Sequence, residues 1–276
     1  MKAYDVIART VGAQPDRESL RWVDAVHMRG YRFWSILGLA GCFVCLGGAL
    51  SSVPISIQLA GLGAGAVCMV LRMLRRKGFE TVVASALDIE CDPALYCRWM
   101  LAFLAAGRPS GDYAQGVWNY AYGLLWQGKW SDAIALVRTL ERDIDIPDIA
   151  FIYDSFMADC AFALRDPDKL SAYIEAMRTI DHRRIAREAR LHAAELEPLR
   201  DLLLYERAGD FDAALAIIDR ILADPGLLPV ERVVATLHRA ECIADAAERR
   251  RLLDYVQQNG GSTWCAARAR MLAARL

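Results

Sequence analysis

The chain has 276 residues, 55% hydrophobic and 24% charged, with 33 Lys+Arg against 34 Asp+Glu and a net charge of −1. It is too apolar for a disordered chain, its 19 Gly and 9 Pro show no collagen period, and 8 Cys are too dilute for a disulfide scaffold. The near-neutral total hides a split: residues 1–77 carry ten basic and four acidic residues, whereas 78–276 carry 23 and 30. A basic arm beside an apolar block suits a membrane surface, and the acidic remainder lacks the basic footprint that nucleic acid requires.

In chain order, the first feature is the arm over 16–32. Leu20, Val23, Ala25, Val26 and Met28 recur at roughly helical spacing. Two readings stay open. The arm lies on the inner leaflet, or it continues the first membrane helix into the cytosol.

From Phe33 to Leu71 no residue carries a formal charge, a run of 39. One spanning helix needs about 20 residues at a rise of about 1.5 Å each. The run is therefore too long for one helix and suits two. Ser51-Ser52-Val53-Pro54 supplies the turn, because Pro54 disfavours a helical Val53. The expected hairpin has helices over 33–50 and 55–74. Arg17, Arg21, Arg29 and Arg32 precede it, and Arg72, Arg75, Arg76 and Lys77 follow it, with no basic residue in the loop. That asymmetry puts both termini on the cytoplasmic side. Tyr31 and Trp34 suit the interfacial belt, and Arg72 can snorkel to the headgroups. Small residues recur four apart as Gly41, Cys45 and Ala49, and again as Gly61 and Gly65. Such faces join the two arms of the hairpin or receive a partner helix.

Three look-alikes fall in this block. Leu39-Ala40-Gly41-Cys42 has the form of a lipobox, but its leader is long and the apolar run continues past Cys42. Cys42-Phe43-Val44-Cys45 is a CxxC without the context of a redox motif. Cleavage after Ala49 would leave the second apolar run unexplained.

After Lys77 the chain reads as soluble and helical, with frequent Ala, Leu, Arg and Glu and no strand alternation. Breakers stand at 107–111, Gly128, Pro147, Asp166-Pro167, Gly209, Pro225-Gly226 and Gly260-Gly261. Two turns match. Gln127-Gly128-Lys129-Trp130-Ser131-Asp132-Ala133-Ile134 aligns with Ala208-Gly209-Asp210-Phe211-Asp212-Ala213-Ala214-Leu215. The Gly is a helix C-cap at positive φ, and the Ala lets antiparallel helices close up. Amphipathic helices are expected to follow over 133–142 and 213–222. In these residues the chain resembles a tetratricopeptide repeat (TPR) protein, whose repeat carries this Gly, aromatic and Ala at these offsets. The resemblance covers about 110–225. Its intervening turn, Arg165-Asp166-Pro167-Asp168, lacks the glycine, and Leu202 is bulky where a small residue is usual. It implies a helical solenoid, with 227–276 as further pairs or a cap.

Such solenoids bind partners on the face lined by the first helix of each pair. In the best repeat that helix is 115–126. Trp118, Tyr122 and Trp126 form one stripe at i, i+4 and i+8, with Leu125 beside it. Trp118, Tyr122, Leu125 and Trp126 are the candidate protein-binding residues. The competing reading packs the stripe against the preceding helix, 96–106. The Lys and Asn with which some TPR domains clamp a carboxylate are absent, and Trp118 and Tyr122 stand in their place.

Chemistry is hard to find. No Walker, GxSxG, HExxH or GxGxxG motif is present. His192 with Glu195, and His238 with Glu241 and Cys242, have metal-ligand spacing, but a solvated polar face explains each pair without a metal. Cys91, Cys97, Cys160, Cys242 and Cys265 are expected to be free buried thiols. The resulting expectation is an all-α protein. An arm (1–32), a two-helix transmembrane hairpin (33–77) and a cytoplasmic TPR-like solenoid (78–276) would make a plasma-membrane adaptor for protein or peptide partners. The alternative is an accessory subunit of a membrane enzyme, transporter or secretion complex. No enzymatic activity, cofactor, metal, small-molecule substrate or nucleic acid is expected.

Overall fold

A computed structural model describes residues 2–49, 54–106 and 113–276, and among these it contains helices and turns but no strand. The hairpin turn at 51–53, the breaker at 107–111, and the side chains of Cys45 and Ala49, which belong to the small-residue face and the CxxC, lie outside the described residues. The chain divides into two compact units, Pro15–Ser85 and a discontinuous unit made of Met1–Gln14 with Ala86–Leu276.

In the Pro15–Ser85 unit, α2 (Arg17–Val23) starts where the Asp16 carboxylate accepts from the Ser19 N–H at 2.7 Å, a side-chain N-cap. A π-helical turn, Asp24–Met28, leads without a break into α3 (Arg29–Ala49). The arm thus continues the following helix. Next comes α4 (Ile55–Asp88), whose 34 residues make it the one described helix long and apolar enough to cross a membrane. At about 1.5 Å per residue it exceeds a hydrocarbon core of about 30 Å. It does not stop near 74, because nothing from Arg72 to Asp88 breaks a helix except the isolated Gly78. A boundary at 77 would fall inside it.

The α3 and α4 backbones meet at Gly41. A Cβ there would lie 3.0 Å from the Gly61 carbonyl oxygen and 3.3 Å from the Gly65 nitrogen, and backbone atoms cannot move aside as a side chain can. Away from this seam, Phe33, Ile36, Leu39 and Phe43 on α3 and Ile55, Leu59, Leu62, Val70 and Met73 on α4 are all exposed. Arg72 donates to the Tyr31 hydroxyl and lies 4.4 Å over its ring. Arg75 donates to the Val26 carbonyl at 3.0 Å.

The other unit begins with α1 (Ala3–Val11), which buries Ala3, Val6 and Ile7 against the helices that follow residue 86. These are α5 (Pro93–Ala106), α6 (Tyr113–Trp126), α7 (Trp130–Val137, continuing as a 3-10 turn Arg138–Asp143), α8 (Pro147–Ala163), α9 (Pro167–Thr179), α10 (Ala186–Ala208), α11 (Phe211–Leu222), α12 (Pro229–Cys242), α13 (Ala246–Asn259) and α14 (Trp264–Ala273). From α8 onward each helix packs on the next, and α6 on α8, α8 on α10 and α12 on α14 form a second set of contacts. The two matched turns cap their helices as read from sequence, with Gly128 and Gly209 both at φ 75°. Leu202, the bulky departure from the repeat, is buried with Ala214, Ile218 and Ala235.

The turn without glycine solves its problem differently. Arg165 itself takes φ 57°, which costs a non-glycine residue about 1–2 kcal/mol. Its guanidinium reaches Glu206 at 3.5 Å and also pairs with Glu241, and these acids are only 10% and 12% exposed. Arg165→Gly is therefore expected to relax the backbone yet destabilise the protein by about 2–4 kcal/mol, because two buried carboxylates lose a partner. Thermal melts followed by circular dichroism check this, and a rise in melting temperature would refute it.

The last helices return to the start of the unit. Cys91 joins Val233, Leu237, Leu253, Val256 and Cys265 in one core cluster, with Trp126 and Trp264 packed against it. The Ser262 N–H donates to the Cys91 carbonyl at 3.0 Å, and Trp130 meets the edge of Trp264 at 6.2 Å. Residues 227–276, expected as further pairs or a cap, thus pack on the first helices of the body.

Candidate functional site

The site is built from α6, α8 and α10. Their facing sides line a cavity of about 460 Å³, with Trp118 and Gln115 from α6, Ile152 and Ser155 from α8, and Leu191 and His192 from α10 among its walls. Phe151, Glu188 and Glu195 complete the lining. On α10, Glu188, Leu191, His192 and Glu195 follow i, i+3, i+4 and i+7 and so share one face. Leu191 is 57% exposed there.

The four stripe residues divide along α6. Trp118 lines the cavity. Tyr122 stacks on it, with centroids 5.3 Å apart and planes 17° apart. Trp126 meets Tyr122 edge-on at 6.1 Å and packs against the core cluster around Leu253. Leu125 is buried. The stripe runs from the cavity wall at Trp118 to the core cluster at Trp126, and that cluster is formed by Cys91 and the last helices, not by the preceding helix 96–106 of the competing sequence reading.

A hydrogen-bonded chain crosses the cavity wall. Ser155 Oγ lies 2.8 Å from His192 Nε2, and His192 Nδ1 lies 3.4 Å from Glu195 Oε2. The order is that of nucleophile, base and orienting carboxylate. Two features weaken it as a catalytic device. The Glu195 side chain is 75% exposed, at the long end of contact. Ser155 sits in the middle of α8, where backbone N–H groups are committed to the helix and none is free to hold an oxyanion. The chain acts as a polar brace between α8 and α10.

One turn beyond Ser155 on α8, outside the lining of the cavity, stands Asp159. It has no hydrogen bond or ion pair among the described residues, and burial pushes its carboxyl up to about 7. Asp154 is raised to about 6 for the same reason. Burial, and then the charge of Asp159, also raise Tyr122.

The second histidine pattern is no solvated face. His238 is 2% exposed, with Nδ1 2.7 Å from Glu206 Oε1 and its ring stacked on Phe162. Glu241 pairs with Arg165 and Arg268. Burial works against the ionised Glu206, but the His238 hydrogen bond and the His238 and Arg165 charges outweigh it and hold the carboxyl below its usual value. Among the described residues no group of three His, Cys, Asp or Glu is arranged for a metal. The cysteines at 91, 97, 160, 242 and 265 are free and buried, as expected.

Sequence reasoning found Trp118 in the cavity wall and noticed His192 and Glu195 only as a metal-like pair. It missed Ile152, Ser155, Glu188 and Leu191. The available signal was the i, i+3, i+4, i+7 set on α10 with an apolar residue in its centre, aligned with α8, whose start is marked by Pro147 alone. No family model, curated protein or solved structure matches the chain.

Proposed function

We propose that this protein is a membrane-anchored helical-repeat adaptor of TPR-like build that binds protein partners in the α6–α8–α10 groove at the cytoplasmic face of the plasma membrane. The observation that carries the reading is the groove itself, an apolar cavity with an exposed Leu191 and a rim of polar groups, the composition of a peptide site. Anchorage by α3 and α4 is supported by their outward apolar side chains and the Gly41 seam. An even number of crossings follows if the block spans lipid, because α1 and the helices after residue 86 belong to one compact unit and must share a compartment. The basic flanks make that compartment the cytoplasm.

A second reading, an accessory subunit of a membrane complex, is favoured by the outer face of α4. Ala60 and Ala64 are exposed there, and nothing lies within 4 Å of a Cβ placed on Gly63, so a partner helix could approach closely.

Protease added to intact cells is expected to spare the carboxyl-terminal unit, whereas inverted membrane vesicles expose it; digestion in intact cells overturns the topology. For the groove, Leu191→Asp is expected to abolish crosslinking to native partners without changing helicity, since Leu191 is mostly in solvent. Crosslinking to the same partners at the same yield overturns the groove reading, and stoichiometric membrane partners retained by that variant favour the subunit.

A further inference from the structure

The acids of α10 are treated in two ways. Glu197 pairs with Arg178, Asp201 with Arg200 and Glu206 with Arg165. The two on the groove face are not matched to arginine. Glu188 has no ion pair among the described residues, and Glu195 meets only His192. Among the described residues no Lys or Arg lines the cavity, although the chain carries 33 of them. Glu188 lies in the first turn of α10, where the helix dipole favours a carboxylate. Glu195 lies two turns further on and has no such reason. Seven residues at about 1.5 Å place the two about 10 Å apart along the axis, on either side of Leu191, and Trp118 and Phe151 line the same cavity, Trp118 with one face stacked on Tyr122 and Phe151 edge-on to His192.

We propose that the partner segment is a basic, apolar peptide. An Arg or Lys lies between Glu188 and Glu195, and a neighbouring aliphatic side chain enters the cavity over Ile152 and Leu191. The assignment rests on the groove reading above and adds the chemistry of its occupant. Complementary charge selects the occupant and sets its register, an aromatic wall favours the cation further, and apolar contact with Leu191, Ile152 and Trp118 supplies most of the burial. Among the described residues of the lining an acidic peptide would meet two carboxylates and no Lys or Arg.

The test uses the full chain in an uncharged detergent and fluorescence anisotropy of three labelled peptides: one alternating Arg and Leu, one with Glu replacing Arg, and one with Ser replacing Leu. Micelles without protein give the background. The Arg-Leu peptide is expected to bind best. The E188Q/E195Q variant is expected to weaken it about tenfold, an effect that fades in high salt. The variant D132N/D212N removes the same charge from exposed positions on other helices and is expected to leave binding unchanged. Equal binding of the Arg-Leu and Glu-Leu peptides, or equal losses in the two double variants, overturns the proposal. If Leu191→Asp still abolishes binding in that case, the groove survives and only its charge preference is wrong. If Leu191→Asp has no effect on any peptide, the groove reading falls with it.

Discussion

Gly261→Ala is expected to lower the stability of the helical unit by about 2–5 kcal/mol, as left-handed strain of about 1–2 kcal/mol adds to overpacking of about 1–3 kcal/mol. Gly261 has φ 50°. A Cβ there would lie 3.0 Å from the Cys91 carbonyl carbon and 3.2 Å from the Glu90 carbonyl oxygen. Both neighbours are backbone, so the methyl can be housed only if the turn before α14 moves away from residues 90–92. That movement breaks the Ser262 bonds, from its N–H to the Cys91 carbonyl at 3.0 Å and from its hydroxyl to Asp92 Oδ1 at 2.8 Å. Gly209→Ala is the control. Its φ is 75°, and nothing lies within 4 Å of the added Cβ, so only the conformational cost of about 1 kcal/mol remains. Circular dichroism melts of both variants, with limited proteolysis of the carboxyl-terminal helices, separate the two costs. Equal losses at 209 and 261 would mean that closure of the helices onto Cys91 contributes nothing.

Asp159→Asn is expected to stabilise the protein by about 2–4 kcal/mol at pH 8 and to change nothing at pH 4, at about 1.4 kcal/mol for each unit of pKa displacement. The sign follows from burial. Unfolded, the carboxyl loses its proton near its ordinary value of 3.8, and folded it keeps the proton to about 7. Between those values the folded state binds more protons than the unfolded state, so stability is fully present below about pH 4 and falls as pH rises to 7. Asp154, raised to about 6, contributes in the same direction over a narrower range. Glu206 works oppositely, because its lowered carboxyl loses its contribution only in acid, below its ordinary value of 4.5. An asparagine at 159 cannot ionise and retains the shape of the side chain. Melting temperatures of parent and variant across pH 4 to 8 should converge in acid and diverge in base. Parallel curves, or a less stable variant at pH 8, would place the Asp159 carboxylate in a satisfied environment.

Local signals were legible because they act over a few residues. The helical class follows from composition and period, the glycine caps at Gly128 and Gly209 from turn stereochemistry, and the neutral run from a plain count of charges. The second apolar helix runs past 74, where an end was expected, and the arm takes the continuous one of its two readings. The arm before residue 33 and the segment after 74 each contain only an isolated glycine, Gly30 and Gly78, and a helix persists until something stronger stops it. Leu202 was legible as a departure from the repeat, but its burial against Ile218 was not, because repeat patterns report what is usual at a position and not what the neighbouring helix offers.

By itself the sequence determined the all-helical class, the turn glycines, the apolar 39-residue run with its basic flanks, and the aromatic spacing on α6. Only the tertiary structure decided that Trp118 reaches a cavity while Trp126 reaches the core, that His238 is buried against Glu206, that residues 3–11 pack with helices that follow residue 86, and that α14 returns to Cys91. Each of these joins residues tens to hundreds of positions apart. Helical period fixes which residues share a face, whereas the element that covers the face is set by packing among helices distant in sequence.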